Sequence, residues 1–222
     1  MGELSKFLVD SILNETVEQV TALFGGGFKP PTKGHLEVVL KGLQQNPEIT
    51  QLKILVGAKE RAGFTQKQAV KIWNFYNDMN LIPVDTTVIP VGSPYDYYKK
   101  YLKQHSKDKV YIFIGSREGN EDDQLDVQQR TKYIKKYSDN VIPLEISTQG
   151  STSGTEARKL FKTDISSLRY LFPENLTDGD FKKILNILGK KDIDEGNITE
   201  IENPENNLNL NIPEDILQLH RA

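Results

Sequence analysis

One stretch of the chain combines residue types that can hold a polyanion: GGGFKPPTKGH, residues 25–35. Three contiguous glycines let a backbone come close to a ligand. Pro30 and Pro31 stiffen the turn that follows. Gly34 and His35 then open a helix, whose free N–H groups and dipole favour an anion. Lys29 and His35 can both aim at that place. The stretch is not the dinucleotide fingerprint, because no glycine follows at the required offset, and it is not a Walker loop, because Gly-Lys-Ser/Thr is missing. Other chemistries are closed by composition. The absence of cysteine excludes disulfides, thiolate zinc sites, iron–sulfur ligation and cysteine nucleophiles. His35, His105 and His220 are too far apart for a histidine-spaced metal motif, so no metal ligands are assigned.

The elements that must position this stretch follow from periodicity. Apolar runs at 20–28, 52–57, 86–91, 110–115 and 140–147 suit strands. Segments 34–46, 66–79, 93–105, 122–137 and 153–163 suit helices. Pro94 sits near the start of the third, and the fourth has acids early and bases late, matching the helix dipole. Five alternations of strand and helix predict a parallel α/β sheet with helices on both faces. Ligands bind such sheets at the carboxyl ends of the strands, where the order reverses. The loops that matter are then 25–34, 57–65, 91–93, 115–120 and 147–154.

The remaining segments are appendages. A helix is expected over 3–14, within an N-terminal segment 1–16 preceding the body of an α/β domain spanning 1–165. Residues 166–191 read as a helical subdomain of two helices, with Asp178 placed to cap the second. Residues 192–222 form an acidic tail with eight acids, one base and six asparagines. The tail carries −7 of the chain's formal −3, leaving +4 on the 191 residues before it. That overall balance disfavours a general nucleic-acid binder, and no nucleic-acid partner is expected. With 222 residues, no signal peptide and no 18-residue apolar run, a soluble cytoplasmic protein without a membrane partner is the expectation.

Two motifs make the resemblance specific. GGFKPPTKGH resembles the signature of the nucleotidylyltransferase superfamily, Gly-(Gly/Ser/Thr)-Phe-x-Pro followed by (His/Thr)-x-Gly-His. Ser153-Gly154-Thr155-Glu156-Ala157-Arg158 resembles its Ser-(Ser/Gly)-Thr-x-x-Arg motif. Between them, GAKERAGFTQKQAVKIW (57–73) resembles the basic loop after the second strand, and Phe113-Ile114-Gly115-Ser116-Arg117 the site on the fourth. The likeness spans residues 20–163. The fold expected is a Rossmann-like parallel five-stranded sheet, order 3-2-1-4-5, with helices on both faces and a small C-terminal helical extension. The resemblance implies attack on the α-phosphorus of a nucleoside triphosphate, with pyrophosphate leaving. By it, His35 and Lys29 are catalytic. Gly26, Gly27, Phe28, Thr32, Gly34, Gly115, Arg117, Ser153, Thr155 and Arg158 bind the nucleotide. Lys59 and Arg61 face the acceptor, a phosphorylated small molecule. Magnesium is expected to be held mainly by the triphosphate. Superfamily members often form homo-oligomers.

Thr32 in place of the first histidine, and Gly154 in place of the second serine, resemble adenylyltransferases, including nicotinamide mononucleotide and sulfate adenylyltransferases. The alternatives are a cytidylyltransferase using CTP and, from another class, a nucleotide-binding or interaction module without turnover. The glycine-rich stretch with a short C-terminal extension is also similar to cytidylyltransferase-like proteins encoded by phages. A related signature occurs in class I aminoacyl-tRNA synthetases, but this chain is too short and lacks a Lys-Met-Ser-Lys-Ser-like loop. Trp73, Phe75 and Tyr76 read as core, and Tyr95, Tyr97, Tyr98 and Tyr101 as helix packing rather than base-stacking platforms. Arg117 has acids beside it in SREGNEDD that offer ordinary partners.

Overall fold

The computed structural model describes residues 19–148, 154–165 and 167–190. The helix expected over 3–14, Ser153 and the acidic tail lie outside the described residues. The apolar runs form five strands: β1 (Thr21–Gly26), β2 (Gln51–Gly57), β3 (Asp85–Val91), β4 (Val110–Arg117) and β5 (Val141–Thr148). All pair in parallel, in the order β3-β2-β1-β4-β5. The order reverses at β1, where the chain runs out to β3 on one side and returns to β4 on the other. This is the Rossmann-like α/β architecture expected.

The helices are α1 (Lys33–Gln45), α2 (Gln66–Asp78), α3 (Pro94–Gln104), α4 (Glu121–Ile134), α5 (Gly154–Thr163) and α6 (Asp178–Ile187). Strand residues alternate between two apolar layers, because side chains of a strand point to opposite faces in turn. Ala22, Phe24, Leu52, Ile54, Tyr111 and Phe113 pack with α1, α2, α5 and α6 on the first face. Leu23, Leu55, Ile112 and Ile114 pack with α3 and α4 on the second. Burial on both faces explains why the strands read as continuous apolar runs. Trp73 and Tyr76 are fully buried in the first layer, as core.

Residues 166–191 differ from two α-helices. The first piece is a short 3-10 turn, Ser167–Leu171, ended by Phe172-Pro173, since a residue before proline is driven from the α region. The second is α6, and its cap is Thr177, not Asp178. Thr177 Oγ1 accepts from the Asp180 N–H, and the Asp180 carboxylate accepts from the Thr177 N–H at 3.2 Å. Leu168, Leu171, Phe172, Phe181 and Ile184 join the same apolar layer as Phe24 and Trp73. Among the described residues no helix is long and apolar enough to cross a membrane.

Gly42 sets how closely α1 lies on the sheet. A Cβ there would stand 2.7 Å from the Phe113 ring and 2.8 Å from Ile146 Cδ1. Alanine in a helix interior ordinarily adds about 1 kcal/mol over glycine. Here the overlap reverses the sign: Gly42→Ala should destabilise by about 1–3 kcal/mol in urea unfolding, through overpacking. A rise in the urea midpoint would contradict this packing.

Candidate active site

The carboxyl ends of β1 and β2 and the N-termini of α1 and α5 meet at one place. β1 ends at Gly26, and Gly27 follows, where an added Cβ would stand in van der Waals contact with the Arg61 guanidinium at 3.8 Å. Phe28 takes a left-handed conformation (φ 47°), and the Lys29–Pro30 peptide is cis. Phe28 is buried, its ring edge-on to the rings of Trp73 (5.4 Å) and His35 (5.2 Å).

Lys29 is only 2% exposed. Its Nζ donates to the carbonyls of Gly57 (2.8 Å) and Lys59 (2.9 Å), joining the loop after β1 to the loop after β2. Burial and the nearby Arg61 charge lower its pKa, and Glu60 partly offsets them. Its own carbonyl accepts from Arg158 Nη1 at 2.8 Å. Arg158 Nη2 donates to Thr155 Oγ1 at 2.7 Å, so α5 is tied to the glycine-rich loop. Burial and Arg61 also lower the pKa of Arg158.

Thr32 caps α1, and His35 at the third helical position closes a capping box. The Thr32 N–H donates to His35 Nδ1 at 3.0 Å, with Thr32 Oγ1 2.8 Å from the same atom. A backbone N–H can only donate, so Nδ1 is an acceptor and the neutral ring carries its proton on Nε2. Burial and the Arg158 charge push the His35 pKa down to about 4. At neutral pH the group is an uncharged N–H donor beside cations.

The arrangement gathers Lys29, Arg61 and Arg158 with neutral His35 at two helix N-termini. None of the three cations is ion-paired with a described residue. Like charges held together lower one another's pKa and favour an anion between them. No group of three or more His, Asp or Glu residues placed to hold a metal occurs among the described residues.

The other expected residues are placed as follows. Thr32 is fully buried and Gly34 is buried in the first turn of α1. Lys59 meets the cluster through its carbonyl. Gly115 lies near the carboxyl end of β4, exposed, and a Cβ on it would stand 2.8 Å from Val38 Cγ2. Arg117 ends β4, but its fork is engaged by Asp123 through Nε (2.8 Å) and Nη2 (2.9 Å), and the structure does not join it to the cluster. Several positioning groups were not apparent from sequence. Gln66 Nε2 donates to the carbonyls of Val56 (2.6 Å) and Val91 (2.9 Å), closing the ends of β2 and β3. Tyr76 Oη donates to the Pro31 carbonyl at 3.4 Å. Both contacts link residues distant in sequence, which no local pattern signals.

No family model matches the chain, and no curated protein matches it. Solved structures do. One is a Plasmodium falciparum nicotinic acid mononucleotide adenylyltransferase in complex with APC, 17% identical, TM-score 0.51, over 70% of this chain and 91% of that one. Another is the same parasite enzyme in complex with NaAD, 17% identical, TM-score 0.51, over 76% of this chain and 97% of that one. The chain therefore has the fold of these adenylyltransferase structures.

His35→Gln separates the two roles of the histidine, because glutamine at this helical position also closes a capping box. His35 has a folded pKa below that of the unfolded chain, so the unfolded state binds the extra proton between about pH 6.5 and 4. Its stabilisation is therefore complete above about pH 6.5 and falls by up to about 3 kcal/mol as pH drops toward 4. Urea unfolding across this range should show that loss in the wild type and a shallower one in His35→Gln. Identical slopes would show that the imidazole is not buried neutral.

Proposed function

We propose that the chain is a nucleotidyltransferase that transfers AMP from ATP to a phosphorylated small metabolite and releases pyrophosphate. The observation that carries this reading is the cluster of Lys29, Arg61 and Arg158, without an ion-pair partner among the described residues, with the neutral His35 beside Arg158. Three like charges repel one another there, and a polyphosphate would relieve the repulsion at the positive ends of the α1 and α5 dipoles. The adenylyltransferases named above support an adenylyl group over a cytidylyl group, and a pyridine mononucleotide as the acceptor to try first.

In the reaction an oxygen of the acceptor's phosphate attacks the α-phosphorus. The bond from that phosphorus to its bridging oxygen breaks, and pyrophosphate leaves with the electron pair. The attacking phosphate is already ionised at neutral pH, so no general base is required. Catalysis rests on position and on charge stabilisation. His35 donates its Nε2–H to an α-phosphoryl oxygen. Arg158, Thr155 and Ser153 hold the β- and γ-phosphates, and Thr32 adds a hydrogen bond. The glycines at 26, 27 and 34 let the main chain approach. Lys29 contributes charge while fixing the two loops on either side of the nucleotide. Arg61, with Lys59, closes over the reacting groups, and Arg117 would have to leave Asp123 to join them. Magnesium would be held by the triphosphate itself and would supply further neutralisation of phosphate charge, and no residue of the chain is assigned as its ligand.

Purified protein with magnesium, ATP and a panel of phosphorylated acceptors should release pyrophosphate only when an acceptor is present. CTP in place of ATP should give at least tenfold less. His35→Ala should lower kcat by about 100-fold, and Arg158→Ala should raise KM for ATP by about 10- to 100-fold. Equal release by wild type and His35→Ala, or no binding of either nucleotide by calorimetry, would overturn the reading.

A further inference from the structure

We propose that Arg130 anchors the phosphate of the acceptor, on the face of the sheet opposite His35 and Arg158; the inference rests on the nucleotidyltransferase reading above. Arg130 lies in α4 and belongs to neither sequence motif. Its side chain keeps 29% exposure, and its Nε stands 2.7 Å from an Asp126 carboxylate oxygen. The Asp126 pair engages Nε alone and, with the burial of the side chain, holds the guanidinium in place. Nη1 reaches the Gly25 carbonyl only at 3.5 Å, and Nη2 has no hydrogen-bond partner among the described residues. The guanidinium lies over the Tyr95 ring, 5.9 Å from its centroid, which covers one of its flat sides. A planar fork of donors is thus held in place with much of its capacity unused. A phosphomonoester matches such a fork with two parallel hydrogen bonds.

The position of Arg130 follows from how the displacement must run. His35 and Arg158 come from α1 and α5, which cover the first face of the sheet, and they hold the triphosphate there. Attacking and leaving oxygens lie roughly in line across the α-phosphorus. The acceptor must then enter from the other side of the β1 end. That end is Gly25-Gly26-Gly27, and on its second face α3 comes so close that a Cβ on Gly25 would stand 2.3 Å from Tyr98 Oη. Arg130 reaches the Gly25 carbonyl from this same face, beside the point where the strand order reverses. Arg117 is the alternative cation near the end of β4, but Asp123 occupies its fork.

The test uses inorganic phosphate as the probe, on the full chain already saturated with magnesium and α,β-methylene-ATP, by equilibrium dialysis. The analogue fills the triphosphate subsite and cannot transfer its adenylyl group. The wild-type complex should bind phosphate. Arg130→Gln should bind it about 10- to 100-fold more weakly while taking up the analogue as wild type does, which shows that it is folded. Arg130→Lys should fall between them. Asp126→Asn, which frees the fork, should bind phosphate as tightly as wild type or more so; a purely structural ion pair would instead make it behave like Arg130→Gln. Phosphate binding by Arg130→Gln within twofold of wild type, or none by the wild-type complex, overturns the assignment. If wild type fails to bind the analogue at all, the nucleotidyltransferase reading falls first and this inference with it.

Discussion

Lys29 is the point through which the candidate site holds together. Its ammonium is almost completely buried, where an unpaired charge would be costly, and it is kept there by two main-chain carbonyls of the neighbouring loop. Its own carbonyl is fixed by Arg158. One residue therefore ties together the loop after β1, the loop after β2 and the first turn of α5, three segments separated by some 30 and 130 residues of chain. The neighbouring contacts depend on that tie. Arg61 stands over Gly27 because its loop is anchored through the carbonyls of residues 57 and 59. Phe64, at the far end of the same loop, packs against Phe161 of α5 at 4.9 Å and closes the ring of contacts.

The helix caps carry chemistry as well as structure. A threonine cap with glutamine or glutamate at the third position would stop the start of α1 equally well. Histidine there closes the box with one ring nitrogen and leaves the other as a fixed N–H donor. The same contacts that end the helix thus determine the tautomer. Burial first, and then the Arg158 cation close by, keeps the ring neutral. An anion bound beside the ring would oppose the Arg158 field and raise the pKa of the imidazole.

Much of the sheet was legible in the sequence because its strands are buried on both faces. Runs such as LKILVG and VYIFIG admit few other readings. The glycine-rich turn was legible because glycine, proline and a helix-opening Gly-His each restrict the backbone. What was hidden depends on geometry between distant segments. Nothing near Lys29 in the sequence announces that its amine donates to two carbonyls of the loop after β2. Arg117 sits in a motif-like position, yet Asp123, six residues on, captures it through an ordinary ion pair at the start of α4. Asp178 looked like a cap because aspartate favours that position, but Thr177 one residue earlier does the same with a partner at the right offset. Arg130 lies in a helix with charges on several sides, where no pattern marks one arginine as turned toward the end of β1.

The topology explains why cations gather on both sides of one strand end. In a sheet wound in both directions from β1, the crossover helices of the two faces all begin at the carboxyl edge. Each face therefore brings helix starts and their side chains to the same short run of glycines. On the first face these are His35 and Arg158; on the second, Pro94 and Tyr98 come from the beginning of α3, while Arg130 reaches the Gly25 carbonyl from the later part of α4. Side chains on β1 itself would separate the two groups, and the run of three glycines removes them. The proposed transfer between two phosphates would use this arrangement, because an in-line displacement keeps the attacking and departing oxygens on opposite sides of the phosphorus.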